Sequence, residues 1–427
     1  MQVLLSLSTA LLTGLMLSRL AKLLKLPAVT AYLVAGILVG PYVLGSLGVS
    51  GFGFTSHSEI KFLGIISDVA LGFIAFAIGN EFRLSQLKKT GKQATVIGIF
   101  QAVAATLIVD AALIGLHFLI PDKLPLPSAI ILGAIASATA PAATLMVVKQ
   151  YKAKGPLTDL LLPIVAIDDA VGLMLFAASF GVAKALLAGH VDVISIVVEP
   201  LIEITVSLAL GATMGFLFNF FEQFFHSRSK RLSMSVTFVL FTVAISMVEF
   251  KIAGIHVAFS SLLVCMMMGT VFCNICDFSE ELMDRIDRWS SPILVLFFVI
   301  SGAELELSIF ADPLVVCVGL VYIVFRSVGK YSGAFISARS TNCENNIVKY
   351  LGITLLPQAG VALGMAIKAE AIGPEGIVVA NITLFSVLVY ELIGPSLTKM
   401  ALTKAGDIKP DGAISAREMA KLANKTK

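Results

Sequence analysis

Apolar segments of roughly 20 residues recur along the whole sequence, separated by short breaks that are charged or rich in proline and glycine. A helix of about that length crosses the hydrocarbon core of a bilayer, which is about 30 Å thick. Of the 427 residues, 57% are hydrophobic and 14% are charged, whereas soluble domains have about 25% charged residues. This pattern excludes a soluble globular enzyme and predicts an all-α polytopic membrane protein.

The apolar segments predict about thirteen transmembrane helices. Their approximate limits are 2–18, 27–48, 60–80, 93–119, 127–148, 157–188, 194–221, 233–250, 254–273, 289–303, 312–337, 347–368 and 375–402. We therefore expect one membrane domain, 1–402, followed by a short basic tail, 403–427, that is too small to fold alone.

The basic residues divide unevenly between the two sides of the predicted helices. Of the 31 Lys and Arg residues, 24 fall on the side of the C-terminus and only five on the other side. The positive-inside rule then places the N-terminus outside and the C-terminus in the cytoplasm, and we expect a multi-pass protein of the plasma membrane. A net charge of +3 gives no support for a nucleic-acid partner.

Two stretches of the chain resemble each other. The sequences 79–85 and 302–308 share four of seven residues, and prolines occur in both the fifth and the twelfth spans. This correspondence predicts two repeats, about 1–188 and 233–402, joined by a connector helix at about 194–221. Because odd-numbered spans match even-numbered ones, the repeats would have inverted topology, which is typical of secondary transporters.

Asp168 and Asp169 lie well inside the sixth apolar span. A charge at that depth is costly, so it is a functional candidate by default. Adjacent carboxylates repel each other, which brings at least one proton within reach of physiological pH. The pair is therefore predicted to bind either protons or a monovalent cation.

Prolines interrupt two of the spans. Thr139 and Pro141 lie in the fifth span, and Pro357 and Gln358 in the twelfth. Proline removes a helical hydrogen bond and clashes with the preceding turn. Unwinding at both places would expose carbonyl groups and helix ends at a central site, as in discontinuous transporter helices.

Two basic residues, Arg326 and Lys330, lie in the middle of the eleventh span and share one helix face. We expect them to compensate the acidic pair. Since lysine can lose its proton when buried and arginine cannot, Lys330 is predicted to be the dynamic partner and Arg326 the static one. Three further acids, Asp68, Asp110 and Glu391, could serve either packing or the ion path.

The Asp168–Asp169 pair, the broken span before it, the sequence Gly329-Lys330-x-x-Gly333 and the Gly-x-Glu repeats resemble a known family. They are similar to bacterial sodium/proton antiporters of the monovalent cation:proton antiporter superfamily, in the branch with two adjacent aspartates and about thirteen helices. The resemblance covers the chain to about residue 402. One departure is the uncharged Gln358-Ala359-Gly360, where members of the family often have Arg-Gly-Glu.

The resemblance implies roles for particular residues. Asp169 would be the main cation and proton carboxylate, and Na⁺ would be bound by Asp169 with Asp168 and Thr139. Lys330 would pair with the first aspartate, and Thr139 with Pro141 would lie where the broken helices cross. It also implies a moving core, about 93–188 and 312–402, and a dimerisation panel formed by the rest, in a homodimer.

The function expected from these features is Na⁺/H⁺ exchange that serves pH homeostasis, without a cofactor and without enzymatic activity. The transported ions would be Na⁺ and H⁺, with K⁺ or Li⁺ as further possibilities. A K⁺/H⁺ antiporter is the main alternative, since carboxylates bind both alkali ions. A solute symporter is disfavoured by the small residues around Thr139, and an intramembrane aspartyl protease by the divergence of adjacent Asp168 and Asp169.

Overall fold

The computed structural model describes residues 2–24, 26–49, 52–80, 82–188, 198–248, 250–252, 255–276, 278–305 and 310–408. Within these ranges the chain forms sixteen α-helices and one small hairpin of two antiparallel strands, β1 (Phe250–Ile252) and β2 (Ile255–Val257). The helices are α1 (Gln2–Leu23), α2 (Ala28–Val39), α3 (His57–Phe62), α4 (Gly64–Asn80), α5 (Leu84–His117), α6 (Leu126–Ile135), α7 (Pro141–Tyr151), α8 (Pro156–Ala188), α9 (Glu199–Glu222), α10 (Arg228–Ser246), α11 (Ser261–Ile275), α12 (Ser279–Glu304), α13 (Pro313–Ser340), α14 (Asn345–Thr354), α15 (Gly360–Ala369) and α16 (Pro374–Ala405).

Seven helices in the described part of the chain are long and apolar enough to cross a membrane: α1, α5, α8, α9, α12, α13 and α16. Five further apolar helices are shorter: α2, α4, α6, α11 and α15. The predicted all-α class is thereby confirmed, while the count of about thirteen crossings stays a prediction. The ninth span was expected to begin at residue 254, but β2 occupies its first residues and α11 begins at Ser261.

The helices form two groups. We call α1–α4 with α9–α12 the panel; its buried side chains, among them Phe73, Phe76 and Phe272, form one large cluster that also includes side chains of α7 and α8. We call α5–α8 with α13–α16 the core bundle, which has two apolar clusters of its own. The division of the chain into a moving core and a dimerisation panel stays a prediction.

Glycines allow the panel helices to approach closely, and the contacts are reciprocal. A Cβ atom at Gly302 on α12 would lie 2.2 Å from the Leu33 carbonyl oxygen on α2. A Cβ atom at Gly79 on α4 would lie 1.9 Å from the Met266 carbonyl oxygen on α11. The two glycines matched by the sequence repeat therefore each pack against the backbone of the other half, a use of small residues common in membrane proteins.

Two broken helices face each other in the core bundle. Residues 136–140 separate α6 from α7, and residues 355–359 separate α14 from α15. Pro141 is the first residue of α7, where its missing N–H would have no intrahelical partner in any case. Pro357 lies inside the second non-helical segment. The backbone groups of both segments must therefore find partners outside their own helices.

Candidate functional site at the helix crossover

The two non-helical segments contact each other directly. The backbone N–H of Ala140 donates to the carbonyl oxygen of Pro357 at 2.8 Å, and Gln358 Nε2 donates to the carbonyl oxygen of Ile135 at 3.0 Å. Gln358 Nε2 also contacts the hydroxyl of Tyr322 at 2.9 Å. We call this region the crossover; it brings together the sequence-predicted residues Thr139, Pro357 and Gln358.

Arg326 is completely buried and binds backbone carbonyl groups at the crossover. Its Nε donates to Ala136 at 3.0 Å, one terminal nitrogen donates to Leu356 at 2.7 Å, and the other donates to Ala138 at 2.5 Å. Its guanidinium group lies 4.4 Å from the ring centre of Tyr390. These carbonyls follow the C-terminal ends of α6 and α14, where helix dipoles carry partial negative charge.

Arg326 therefore neutralises helix ends, and it makes no ion pair with an acid among the described residues. Of the two bases, Lys330 alone forms an ion pair with the acidic pair among the described residues. The sequence distinguished the two bases only by their chemistry, because it does not show where the carbonyl groups of the broken helices point.

Lys330 binds the first aspartate. Its Nζ lies 2.8 Å from Asp168 Oδ2 and 2.9 Å from Thr139 Oγ1, and it also donates to the carbonyl oxygen of Ser137. The side chains of Lys330 and Asp168 are both completely buried. Lys330 thus connects α13 with α8 and with the α6–α7 break.

Asp168 accepts hydrogen bonds at both oxygens. Gln101 Nε2 donates to Oδ1 at 2.6 Å, while Thr139 Oγ1 and Lys330 Nζ donate to Oδ2. Its charge is balanced by Lys330 and its position is fixed from three directions. Gln101, on α5, is absent from the sequence-based site; the signal for it was a lone amide in the otherwise apolar Phe100-Gln101-Ala102.

Asp169 is held differently. Its side chain is 6% exposed, and its buried Oδ1 has no hydrogen-bond partner among the described residues. Consecutive residues of a helix point about 100° apart, so Asp169 faces away from the donors of Asp168. The nearby charge of Asp168 repels the Asp169 carboxylate, whereas that of Lys330 attracts it. Asp169 is thus the member of the pair whose carboxylate has an oxygen without a fixed partner among the described residues.

Thr139, predicted as a Na⁺ ligand, uses its hydroxyl to donate to Asp168 and to accept from Lys330. A cation bound by both Asp169 and Thr139 would use the second lone pair of this hydroxyl oxygen, because the first accepts from Lys330. Among the described residues, no three His, Cys, Asp or Glu side chains are arranged to hold a metal ion together. An ion at Asp169 would therefore need other oxygen ligands.

The three additional acids occupy two other places. Asp110 on α5 lies against Gly133 on α6, and its buried Oδ1 has no hydrogen-bond partner in the described structure. Asp68 and Glu391 line a cavity of about 530 Å³ between the panel and the core bundle, together with Glu304. We call it the interface cavity. It lies near the N-terminus of α4 and the C-terminus of α12, on the face with few basic residues.

On the opposite, basic-rich face the panel and the core bundle touch through polar groups. Lys149 Nζ on α7 lies 2.6 Å from Asp287 Oδ1 on α12. Gln150 Oε1 accepts from the backbone N–H of Ala28 at 2.8 Å, and the hydroxyl of Tyr151 lies 3.3 Å from the carbonyl oxygen of Leu26. Along α12, Asp287 and Glu304 are about 25 Å apart at 1.5 Å per residue.

Comparison with known proteins agrees with this architecture. Residues 7–404 match the family model described as "Sodium/hydrogen exchanger, transmembrane". The chain is 24% identical over 389 residues to the Na(+)/H(+) antiporter NhaS4 of Synechocystis, covering 88% of this chain and 91% of that protein. It is also 24% identical over 403 residues to the K(+)/H(+) antiporter subunit KhtU of Bacillus subtilis, covering 92% and 91%.

Solved structures show the same fold. Two structures of the sodium proton antiporter MjNhaP1 from Methanocaldococcus jannaschii superpose with TM-scores of 0.66 and 0.72, at 19% and 18% identity. Each alignment covers 95% of this chain, and 99% and 98% of the respective structure. Because the family model covers nearly the whole described chain, the chain belongs to the transmembrane sodium/hydrogen exchanger family and is an ion transporter, not an enzyme.

Proposed function

We propose that this protein exchanges a monovalent cation for protons, with Na⁺ as the cation, at Asp169. The observation that carries the proposal is the different state of the two aspartates: Asp168 accepts three hydrogen bonds, whereas the buried Oδ1 of Asp169 has no partner among the described residues. A buried carboxylate without a partner must be neutralised. Either a proton or a cation can neutralise it, and because the two compete for one carboxylate, each displaces the other.

The surrounding residues prepare Asp169 for this competition. Lys330 balances the charge of Asp168. Binding of one proton or one monovalent cation to Asp169 therefore leaves the group of Asp168, Asp169 and Lys330 neutral overall. Arg326 holds the carbonyls of both broken helices, which keeps the crossover assembled while the ion changes. The carbonyl and hydroxyl oxygens of the crossover are hard ligands of the type that alkali ions bind.

Access to Asp169 would alternate by movement of the core bundle against the panel. The interface cavity separates the two groups near one face, while Lys149–Asp287 and two further polar contacts join them near the other. A partly exposed ion pair of this type contributes only about 0–1 kcal/mol, so it can break and re-form during a transport cycle. The predicted orientation, with the N-terminus outside, makes the cavity face the outside of the plasma membrane.

A homodimer through the panel is part of the proposal. Apolar side chains on α1 and α9 are exposed, among them Leu12, Met16, Phe216 and Phe220. Such surfaces suit lipid or a second copy of the chain.

Potassium is the second candidate cation. One relative is named a Na(+)/H(+) antiporter and the other a K(+)/H(+) antiporter subunit, at the same identity of 24%. The carboxylate of Asp169 can bind either ion, and selectivity would depend on how closely the crossover oxygens approach it.

The test is exchange in proteoliposomes, with proton movement followed by a pH-sensitive dye after addition of Na⁺, K⁺ or Li⁺. Asp169→Asn should abolish cation-dependent proton flux at every pH, because the amide cannot bind a proton or balance a cation. Asp110→Asn is the matched control, since Asp110 is also an intramembrane acid with an unpartnered buried oxygen in the described structure but lies away from the crossover. Flux that persists in the Asp169 variant would refute the assignment.

A further inference from the structure

The interface cavity contains acids from both helix groups. Asp68 on α4 and Glu304 on α12 belong to the panel, whereas Glu391 on α16 belongs to the core bundle. The rest of the lining is mainly apolar, apart from Ser67, Ser301 and Glu370. The acids therefore face one another across the boundary along which the two groups would move.

Glu391 is the buried member of this cluster. Its side chain is 5% exposed and makes no hydrogen bond or ion pair with any residue in the described ranges. Glu304 and Asp68 line the same cavity, and both charge interactions, of Glu304 with Glu391 and of Asp68 with Glu304, are repulsive. Because an isolated buried carboxylate is costly, the form that suits this arrangement carries a proton.

No basic side chain offsets Glu391 among the described residues that surround it. Arg326 and Lys330 are bound at the crossover, and Lys149 pairs with Asp287. The other basic residues on α16 and on the elements packed against it are exposed, except Lys399, whose ammonium group lies over the ring of Tyr151; the exposed ones are Lys184, Arg339, Lys349, Lys368 and Lys404. Of the acids and tyrosines on those elements and on α16, Glu370 lines the cavity, and its side chain is exposed. The others are Asp159, Asp168, Asp169, Glu375, Tyr32, Tyr151, Tyr322, Tyr331, Tyr350 and Tyr390. On the panel side, Asp68 is the sole charged residue of α4, and the charges of α12 other than Glu304 lie between Glu280 and Arg288.

The inner part of the cavity adjoins the crossover. Gly360, which lines the cavity, is the first residue of α15 and follows Pro357 by three positions. Glu391 is next to Tyr390, whose ring lies against Arg326, and Gly394 one turn further packs against Pro357. A proton on Glu391 therefore lies between the basic-poor face and the helix crossing at which Asp168 is held.

We propose that Glu391, with Glu304 and Asp68 facing it across the panel–core boundary, forms a second proton-binding site through which Asp169 exchanges protons with solution at the basic-poor face. This inference rests on the proposed function and adds the route of the proton to it. The proton passes from hydronium, which leaves as water, to a carboxylate oxygen of Glu391; the O–H bond of Glu391 then breaks as the proton moves on through water to the carboxylate of Asp169, and Glu391 returns to its carboxylate form.

The test uses the full chain in vesicles of uniform orientation, with the pH varied on one face at a time and the Na⁺ gradient held constant. Glu391→Gln should move the midpoint of the pH dependence by about one unit or more at the basic-poor face, because the relay group no longer titrates. The pH dependence at the basic-rich face should stay as in the wild type. Glu370→Gln, an exposed residue of the same cavity, is the matched control and should leave both profiles unchanged.

A second variant keeps the proposal testable if Glu391→Gln does not fold. Glu304→Gln removes the panel charge that repels Glu391 and should also move the midpoint at the basic-poor face only. If the wild type shows no cation-driven proton flux, the proposed function itself fails. If the wild type exchanges ions and both variants keep wild-type profiles, or shift equally at both faces, the proton site at Glu391 is overturned while the role of Asp169 stands.

Discussion

Lys330 Nζ lies 2.8 Å from Asp168 Oδ2, and both side chains are completely buried. The pair does not stand alone, since Gln101 and Thr139 donate to the same carboxylate and Ser137 accepts from the same ammonium group. A buried ion pair repays the cost of leaving water only when such additional hydrogen bonds are present. The relationship makes Asp168 a fixed, balanced group and leaves Asp169 as the variable one.

Removal of one partner should leave an uncompensated buried charge. We expect Asp168→Asn and Lys330→Gln each to lower the free energy of unfolding by about 3–5 kcal/mol, and the double variant to lower it by much less than the sum. Thermal unfolding of the detergent-solubilised protein measures this, with Lys368→Gln on exposed α15 surface as the control. Strictly additive effects of the two substitutions would show that the pair contributes no coupling.

The contact between Lys149 and Asp287 should bias the protein towards the conformation described here. Lys149→Ala removes a bridge between the core bundle and the panel on the basic-rich face, which favours the state in which the interface cavity is closed. A thiol introduced by Ser301→Cys in that cavity should react more slowly with a membrane-impermeant maleimide in the Lys149→Ala variant than in the protein that keeps Lys149. The difference should be at most about fivefold, because the Lys149–Asp287 pair contributes at most about 1 kcal/mol.

Arg285→Ala provides the matched comparison for the Lys149 variant. Arg285 pairs with Glu281 at 2.7 Å, but both residues lie on α12, so that pair does not connect the two helix groups. Its loss should leave the labelling rate at position 301 unchanged. Equal rates in all three proteins would mean that the Lys149–Asp287 contact does not influence the conformational balance.

The close approach of α4 and α11 should depend on Gly79. A methyl group at this position would lie 1.9 Å from the Met266 carbonyl oxygen, so Gly79→Ala must push the two helices apart and lower the melting temperature of the protein. Gly115→Ala is the matched substitution, because a Cβ atom there has no neighbour within 4 Å. In helical α5 it should be neutral or stabilising by about 0.5–1 kcal/mol. A Gly79 variant as stable as the Gly115 variant would contradict the packing described.

The sequence by itself determined the all-helical class and the location of the unusual residues. Apolar length and the scarcity of charge predict these features, because each charge in the membrane is costly and therefore stands out. It also pointed to both broken spans, since proline marks the positions where a helix cannot continue. The hairpin of β1 and β2 was missed because each strand has only three residues, which is too few to show an alternating pattern.

Only the tertiary structure decided which charges meet. Arg326 and Lys330 share one helix face, yet Arg326 binds carbonyl groups and Lys330 binds Asp168. Gln101 reaches Asp168 across 67 positions of the chain, and Glu304 faces Glu391 from the other helix group. Hydrophobic periodicity reports how much of a helix is apolar, but hydrogen bonds and ion pairs depend on distances of about 3 Å between helices that the sequence does not encode locally.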